Sequence, residues 1–345
     1  MGNASRLPVT SCFRDRTPAA AILLSLWLCV PLLIAQEREY EEPVPVDDQP
    51  ARKEPRFFLK PAKATPAEQI DYAVALQSRG QAKEALKQYR ALVHTWHDSP
   101  QAPSAQSAYA LLLEERGRYT AAFEEFQYLI DHYAGRFPYD GVLDHQFRIA
   151  RHIMTARHGR FFLFPGFKAP ERALPLFEQI LENAPRWEKS SEAQFLIGAI
   201  HEETGQDEEA VRAYEALCQR YPDSPFAAVA SFRRAAGLYR IAKSAPRDEV
   251  ACRRALSALS AFLRDYSDTD NAPTAERYRD ELNERLTRMC FERAEFYDRI
   301  SGRPRAALIA YRDFAERFPF SELAAKATER IKRLEQQLEN QNDRE

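Results

Sequence analysis

Glycine is scarce in this chain, with 11 residues in 345, where a usual share of about 7% would give about 24. Neither GxGxxG nor GxxxxGK[ST] occurs, so no glycine loop is available to cradle a phosphate. The GxSxG elbow and the HExxH zinc helix are absent as well, which removes two common hydrolase designs. Charge of one sign is also missing. The 49 basic and 51 acidic residues are mixed along the chain, for a net charge of −2, and no basic face advertises nucleic acid. Cysteine is sparse: beyond the first 35 residues only Cys218, Cys252 and Cys290 remain. Their odd number and wide spacing support neither a disulfide framework nor a CxxC unit. Each lies in a helical apolar pattern, where cysteine acts as a small hydrophobe.

Histidine gives little more. His94 and His97 lie one turn apart beside Asp98, which reads as a solvated helix end rather than a metal site. His145 and His152 are seven residues apart, about 10 Å along a helix at 1.5 Å per residue, too far to share one ion. His158 reads as the mark of a helix end. No metal, cofactor or catalytic constellation is expected.

What is present begins at the N-terminus. Arg6, Arg14 and Arg16 precede an apolar run from Ala19 to Ala35, and acid follows at Glu37, Glu39, Glu41 and Glu42. A basic start, an apolar centre and a small exit residue describe a secretory signal over residues 1–35, cleaved after Ala35. Two alternatives stay open: a retained anchor, since the run is at the lower limit for a span, and a spurious start. Cys29 is flanked by Leu26, Trp27, Leu28 and by Val30, Pro31, Leu32. Lipidation needs small residues before the cysteine, so none is expected there. Residues 36–64 carry Pro43, Pro45, Pro50, Pro55 and Pro61 with charges between, the composition of a disordered tether. Phe57, Phe58 and Leu59 interrupt it as a short segment able to dock.

From Thr65 to about residue 340 the chain changes to helix pairs. Six segments share one pattern: Ala85–Tyr89–Leu92, Ala122–Phe126–Leu129, Ala173–Phe177–Ile180, Ala210–Tyr214–Leu217, Ala255–Leu259–Phe262 and Ala307–Tyr311–Phe314. Offsets of four and three place each triplet on one helix face, the small residue admitting a partner helix closely. Gly80, Gly117, Gly205 and Gly302 stand in the turns before four of these helices, where glycine closes a helix in the left-handed conformation. Each second helix ends in a breaker such as Tyr221-Pro222-Asp223-Ser224-Pro225 or Phe318-Pro319, and Pro stops one helix while Asp or Ser caps the next. The unit Ser191–Ser224 is 34 residues long, the tetratricopeptide period. Its Ile197-Gly198, Ala210, Tyr214 and Pro222 resemble that repeat closely. The marker alanines are 37, 51, 37, 45 and 52 residues apart, so three units are lengthened. The fold expected is an all-α, right-handed tetratricopeptide-type solenoid of six helix pairs plus a C-terminal helix, with little or no strand.

A narrower likeness spans residues 66 to 335. It rests on the fourth unit with its Tyr-Pro-Asp-Ser-Pro ending, on Ala255-Leu256-Ser257-Ala258-Leu259-Ser260-Ala261-Phe262-Leu263 with Tyr266-Ser267-Asp268, and on Ala294-Glu295-Phe296-Tyr297 followed by Ala306-Ala307-Leu308-Ile309-Ala310-Tyr311. In their order, after an export signal, these resemble the BamD (YfiO-like) outer-membrane assembly family. The resemblance implies a periplasmic, non-enzymatic adaptor at the inner face of the outer membrane. It also implies two partners, a barrel-shaped insertase and unfolded outer-membrane proteins. That family is usually lipidated and this chain lacks the motif, so attachment would run through a partner or an uncleaved signal. The other class of function is a general cell-envelope tetratricopeptide scaffold, for example one coordinating cell-wall synthesis or division. Neither involves nucleic acid.

Three surfaces are candidates for binding. The first helices of a stacked array line its concave side, which selects Ile70, Val74, Gln77, Ser107, Leu111 and Glu114 for an extended or helical peptide. Equally, Ile70 and Val74 could seal neighbouring units. The loop from His158 to Lys168 holds Phe161, Phe162, Phe164 and Phe167, either as an exposed aromatic patch for a protein or membrane or folded back between units three and four. The long sixth unit carries Arg277, Arg285 and Arg288, which suit a polar, steerable docking contact.

Overall fold

Residues 53, 59–158 and 167–342 are described in a computed structural model of the chain. The signal, most of the Pro-rich stretch, and Phe161, Phe162 and Phe164 lie outside the described residues. The helices fall into pairs: α1 (Pro66–Ser78) with α2 (Ala82–Thr95), α3 (Ala102–Glu115) with α4 (Tyr119–His132), and α5 (Tyr139–Thr155) with α6 (Leu174–Asn183). The remaining pairs are α7 (Ser190–Glu203) with α8 (Asp207–Arg220), α9 (Ala227–Ser244) with α10 (Glu249–Asp265), and α11 (Ala272–Glu295) with α12 (Pro304–Arg317). A last helix, α13 (Ala324–Asn342), closes the series. Six pairs and a terminal helix are therefore what the triplets predict. Each helix packs on the next in chain order, and among the described residues none is long and apolar enough to cross a membrane.

The punctuation works as the sequence implies. Gly80, Gly117, Gly205 and Gly302 take φ of 75°, 71°, 75° and 60°, where a side chain would be strained. After α7, the Gly205 N–H donates to Glu202 O at 3.1 Å and the Gln206 N–H to His201 O at 2.8 Å, the paired bonds that satisfy the last carbonyls of a helix. Thr65 caps α1 by accepting from the Glu68 N–H, and Asp248 caps α10 by accepting from Val250 and Ala251.

All six triplets are core. None of their eighteen residues exceeds 2% exposure, and the three tyrosines and four phenylalanines among them supply the largest fully buried side chains. Close approach is most severe at Gly198, where a Cβ would sit 2.6 Å from Cε1 of Tyr214. Cys252 and Cys290 are buried and Cys218 half-buried, all three as free thiols.

The departures from a minimal repeat have physical causes. Helices α9 and α11 run to 18 and 24 residues, which accounts for the 45- and 52-residue spacings. The 51-residue spacing reflects the insertion between α5 and α6. Its two ends pair as a short antiparallel ribbon, Arg157 with Lys168 and His158 with Phe167, a strand pairing the helical pattern does not announce. A 3-10 turn over Pro170–Ala173 then leads into α6, so Ala173 precedes its helix rather than standing inside it. A π-turn over Phe296–Ile300 extends the end of α11.

Candidate protein-binding face

The first helices of the pairs present the residues selected for a peptide surface. On α1, Val74 is 51% exposed, whereas Ile70 is half-buried against the core. Gln77 accepts from the Tyr89 hydroxyl at 2.8 Å. On α3, Ser107, Leu111 and Glu114 are half-buried. Glu114 is the polar centre of the region, accepting from the Arg148 guanidinium at 2.9 Å and lying 2.6 Å from Nδ1 of His145. His145 in turn stacks on Phe126 of α4 at 5.0 Å. Leu111, Glu114, Tyr119, His145, Arg148 and His152 line a cleft of about 510 Å³ between α3 and α5. Leu111 and Tyr119 beside ionisable groups suit an extended chain that offers both apolar and polar groups.

A fuller form of this polar device stands in the fourth and sixth units, where a tyrosine joins the acceptor. Near the C-terminal end of a first helix, an acceptor meets the tyrosine of its own second helix and a base from the next first helix. Glu202 accepts from Tyr214 Oη at 3.0 Å, Arg233 at 2.9 Å and Arg240 at 3.1 Å. Asp298 pairs with Nη2 of Arg330 at 2.7 Å and is approached by the Tyr311 hydroxyl at 3.5 Å. Burial first, and then Asp298, push the Tyr311 hydroxyl up to about 12. Burial and the adjacent Glu202 likewise push the Tyr214 hydroxyl upward. The Arg330 hydrogen bond holds the Asp298 carboxyl below the usual carboxylate range. These links join consecutive units by charge as well as by apolar packing.

A second ladder escapes the apolar pattern altogether. Gln69, Gln106 and Gln194 are buried, each sixteen residues before a marker alanine. Their amides donate to Gln88 O at 3.1 Å, Glu125 O at 2.7 Å and Ala213 O at 3.1 Å in the second helices. The recurrence of Gln at that fixed offset from Ala85, Ala122 and Ala210 is the sequence signal that marks them. A buried amide must find partners, and a helix backbone carbonyl is within reach only at a fixed axial setting.

Two other expectations are corrected. Arg285 does not belong to an open charged surface: its guanidinium reaches Ala242 O and lies 3.0 Å from Sγ of Cys252. A guanidinium carries five N–H donors, and a helix-end carbonyl within reach satisfies one of them. Arg277 and Arg288 do remain exposed, the first over the Tyr278 ring at 5.6 Å and the second paired with Glu284 at 2.6 Å. His94 is not solvated but 3% exposed, while His97 pairs with Asp98 at 2.9 Å. Among the described residues no group of three or more metal-ligating side chains occurs. Phe167 stands in the short ribbon.

The tetratricopeptide-repeat family matches residues 71–140 and 192–224. Similar solved structures include YrrB, described as a tetratricopeptide protein with an unusual peptide-binding site, 17% identical over 61% of this chain and 90% of that one, TM-score 0.29. MamA from Desulfovibrio magneticus RS-1 is 16% identical over 66% of this chain and 98% of that one, TM-score 0.28. The C-terminal part of a repeat protein from Cytophaga hutchinsonii is 15% identical over 77% and 88%, TM-score 0.30. At such scores none of the three bears on function. A search of curated proteins gives no match. The two matched segments are tetratricopeptide repeats, and with the six helix pairs around them the chain folds as an all-α tetratricopeptide-type solenoid.

Proposed function

We propose that the chain is an exported adaptor that helps assemble β-barrel proteins into an outer membrane by binding other proteins. Tetratricopeptide arrays serve as protein-interaction scaffolds, which is the coarse part of this reading. The finer part rests on the likeness of residues 66–335 to the BamD family and on the basic–apolar–acidic N-terminus. In this reading the protein is periplasmic, at the inner face of the outer membrane. Its first-helix face in units one to three receives an extended substrate segment, and its C-terminal units dock on a membrane-anchored insertase. The observation that carries a peptide role is the cleft between α3 and α5, where half-buried Leu111 lies beside the Glu114–Arg148 pair. An extended outer-membrane segment, alternating apolar and polar residues, has the matching pattern.

A general envelope scaffold is the second reading. Cys29 favours it, since its apolar neighbours depart from the lipidation site usual in the BamD family. The deciding experiment is mild crosslinking in the native cell, followed by identification of co-purifying proteins. Recovery of a barrel insertase and unfolded outer-membrane proteins supports the adaptor. Recovery of cell-wall or division proteins alone replaces it with the scaffold.

A further inference from the structure

Lys53 lies thirteen residues before the start of α1, in a stretch whose composition reads as a free tether, yet it is not free. Its ammonium contacts the Glu125 carboxylate of α4 and lies 4.2 Å from the centre of the Tyr128 ring and 5.9 Å from that of Tyr109. Its backbone N–H donates to the Tyr128 hydroxyl at 3.2 Å. The Lys53 and Glu125 side chains are only 21% and 17% exposed. The receiving carboxylate has a second hold besides the lysine: Gln106, wholly buried on α3, donates to Glu125 Oε2 at 2.8 Å and to Glu125 O at 2.7 Å. Two ring faces and one carboxylate supply cation–π attraction and a counter-charge together, the combination that recognises a primary ammonium.

We propose that Tyr109, Tyr128 and Glu125 form a lysine-recognition cage on the second repeat, and that its occupant is Lys53 on this chain's own N-terminal segment. The cage reads three things at once: an ammonium, a side chain long enough to bring it between the rings, and one backbone N–H beside it. That is a lysine whose ammonium and own N–H reach the cage together. A second tie stands downstream, where the Lys63 N–H donates to Gln69 Oε1 at 2.9 Å and its ammonium lies 5.1 Å over Tyr72. The chain is thus fastened to unit two and again to unit one before α1 begins. Burial pushes the Lys53 ammonium below its usual range although Glu125 pulls the other way, so the carboxylate is the contact the occupant cannot lose. Replacing it by a neutral isostere leaves a dehydrated ammonium without a counter-charge.

The test uses the full mature chain and a labelled synthetic peptide of residues 50–60 as the probe. The K53A protein, its own lysine removed, binds the peptide in fluorescence anisotropy. The wild-type protein, its cage filled in cis at high effective concentration, binds at least about tenfold more weakly. Adding E125Q to K53A, or replacing the lysine of the peptide by alanine, abolishes binding. In parallel, hydrogen exchange of amides in residues 50–62 rises in E125Q and in Y128F, with the helix content and melting of the repeats kept. Equal peptide binding by wild-type and K53A proteins overturns the cage, as does binding that survives E125Q. Absence of peptide binding to K53A, with exchange at residues 50–62 unchanged by E125Q, overturns it too.

Discussion

Gly198 and Tyr214 show how little room the helix seams leave. The phenol ring fills the place a Cβ on Gly198 would need, 2.6 Å away, and Tyr214 is itself fully buried. Gly198→Ala therefore overpacks the fourth unit and costs about 1–3 kcal/mol, read as a lower urea midpoint. Ala210→Phe, at a position 1% exposed, gives the same sign and at least the same size; an unchanged melting temperature for either would place the residue outside the seam. Asp298 carries a pH dependence. Arg330 lowers its carboxyl pKa in the fold, so the folded state gives up that proton more readily than the unfolded chain does. The resulting stability is whole above the unfolded value of about 3.9 and is lost as pH falls through the lower folded value. Asp298→Asn should lower the melting temperature at neutral pH and narrow its gap to wild type as the pH is taken to acid. Legibility differs sharply between such residues. The triplet positions can be read from spacing because apolar burial is periodic. Glu202 and Asp298 cannot, because their role depends on bases 31 and 32 residues further on, and no local period ties the two.

At the scale of elements, the same limit explains which helices the sequence describes well. Breakers and positive-φ glycines set the ends of α1 to α4 and of α7 and α8, where the units keep near-standard length. It describes the region between α5 and α6 poorly. There the ribbon of Arg157–His158 with Phe167–Lys168 is only two residues per strand, too short for any alternation to register. The long α11 is legible as a helix, but not in which charges it turns inward. Arg285 is the instance: Ala242 O and Cys252 Sγ bind its guanidinium, so it links α11 to the end of α9 and to α10. Arg285→Glu would set a carboxylate against a backbone carbonyl and destabilise the fifth and sixth units, whereas Arg277→Glu and Arg288→Glu, on the exposed side, should leave the melting temperature within about 0.5 kcal/mol equivalent of wild type. Comparing the three by thermal melting separates a structural arginine from two surface ones. Equal behaviour of all three would remove that distinction.

From the second unit onward, units are joined twice, by apolar packing and by carboxylate–base links from one first helix to the next. That continuity lets one face present different chemistry at its two ends. Units one to three offer Val74 and Leu111 beside Gln77 and Glu114, while the sixth offers the long exposed charge rows of α11. If the adaptor reading holds, these ends have different partners, and salt distinguishes them. Contacts made by exposed charges act mainly on association rate and weaken as ions screen them. Insertase binding, measured with its periplasmic part from the same cell, should therefore fall as salt rises and fall further in the Arg277→Glu/Arg288→Glu protein. Leu111→Ala and Glu114→Gln should leave that binding intact and instead weaken capture of an extended, unfolded outer-membrane segment. Loss of Leu111 removes apolar contact, so this second effect should persist at high salt. Should both binding events respond alike to the two sets of substitutions, one face serves both partners and the division between the ends fails. Should the folded protein show no insertase binding at tens of micromolar, about −6 kcal/mol at the weakest, the general scaffold becomes the better account.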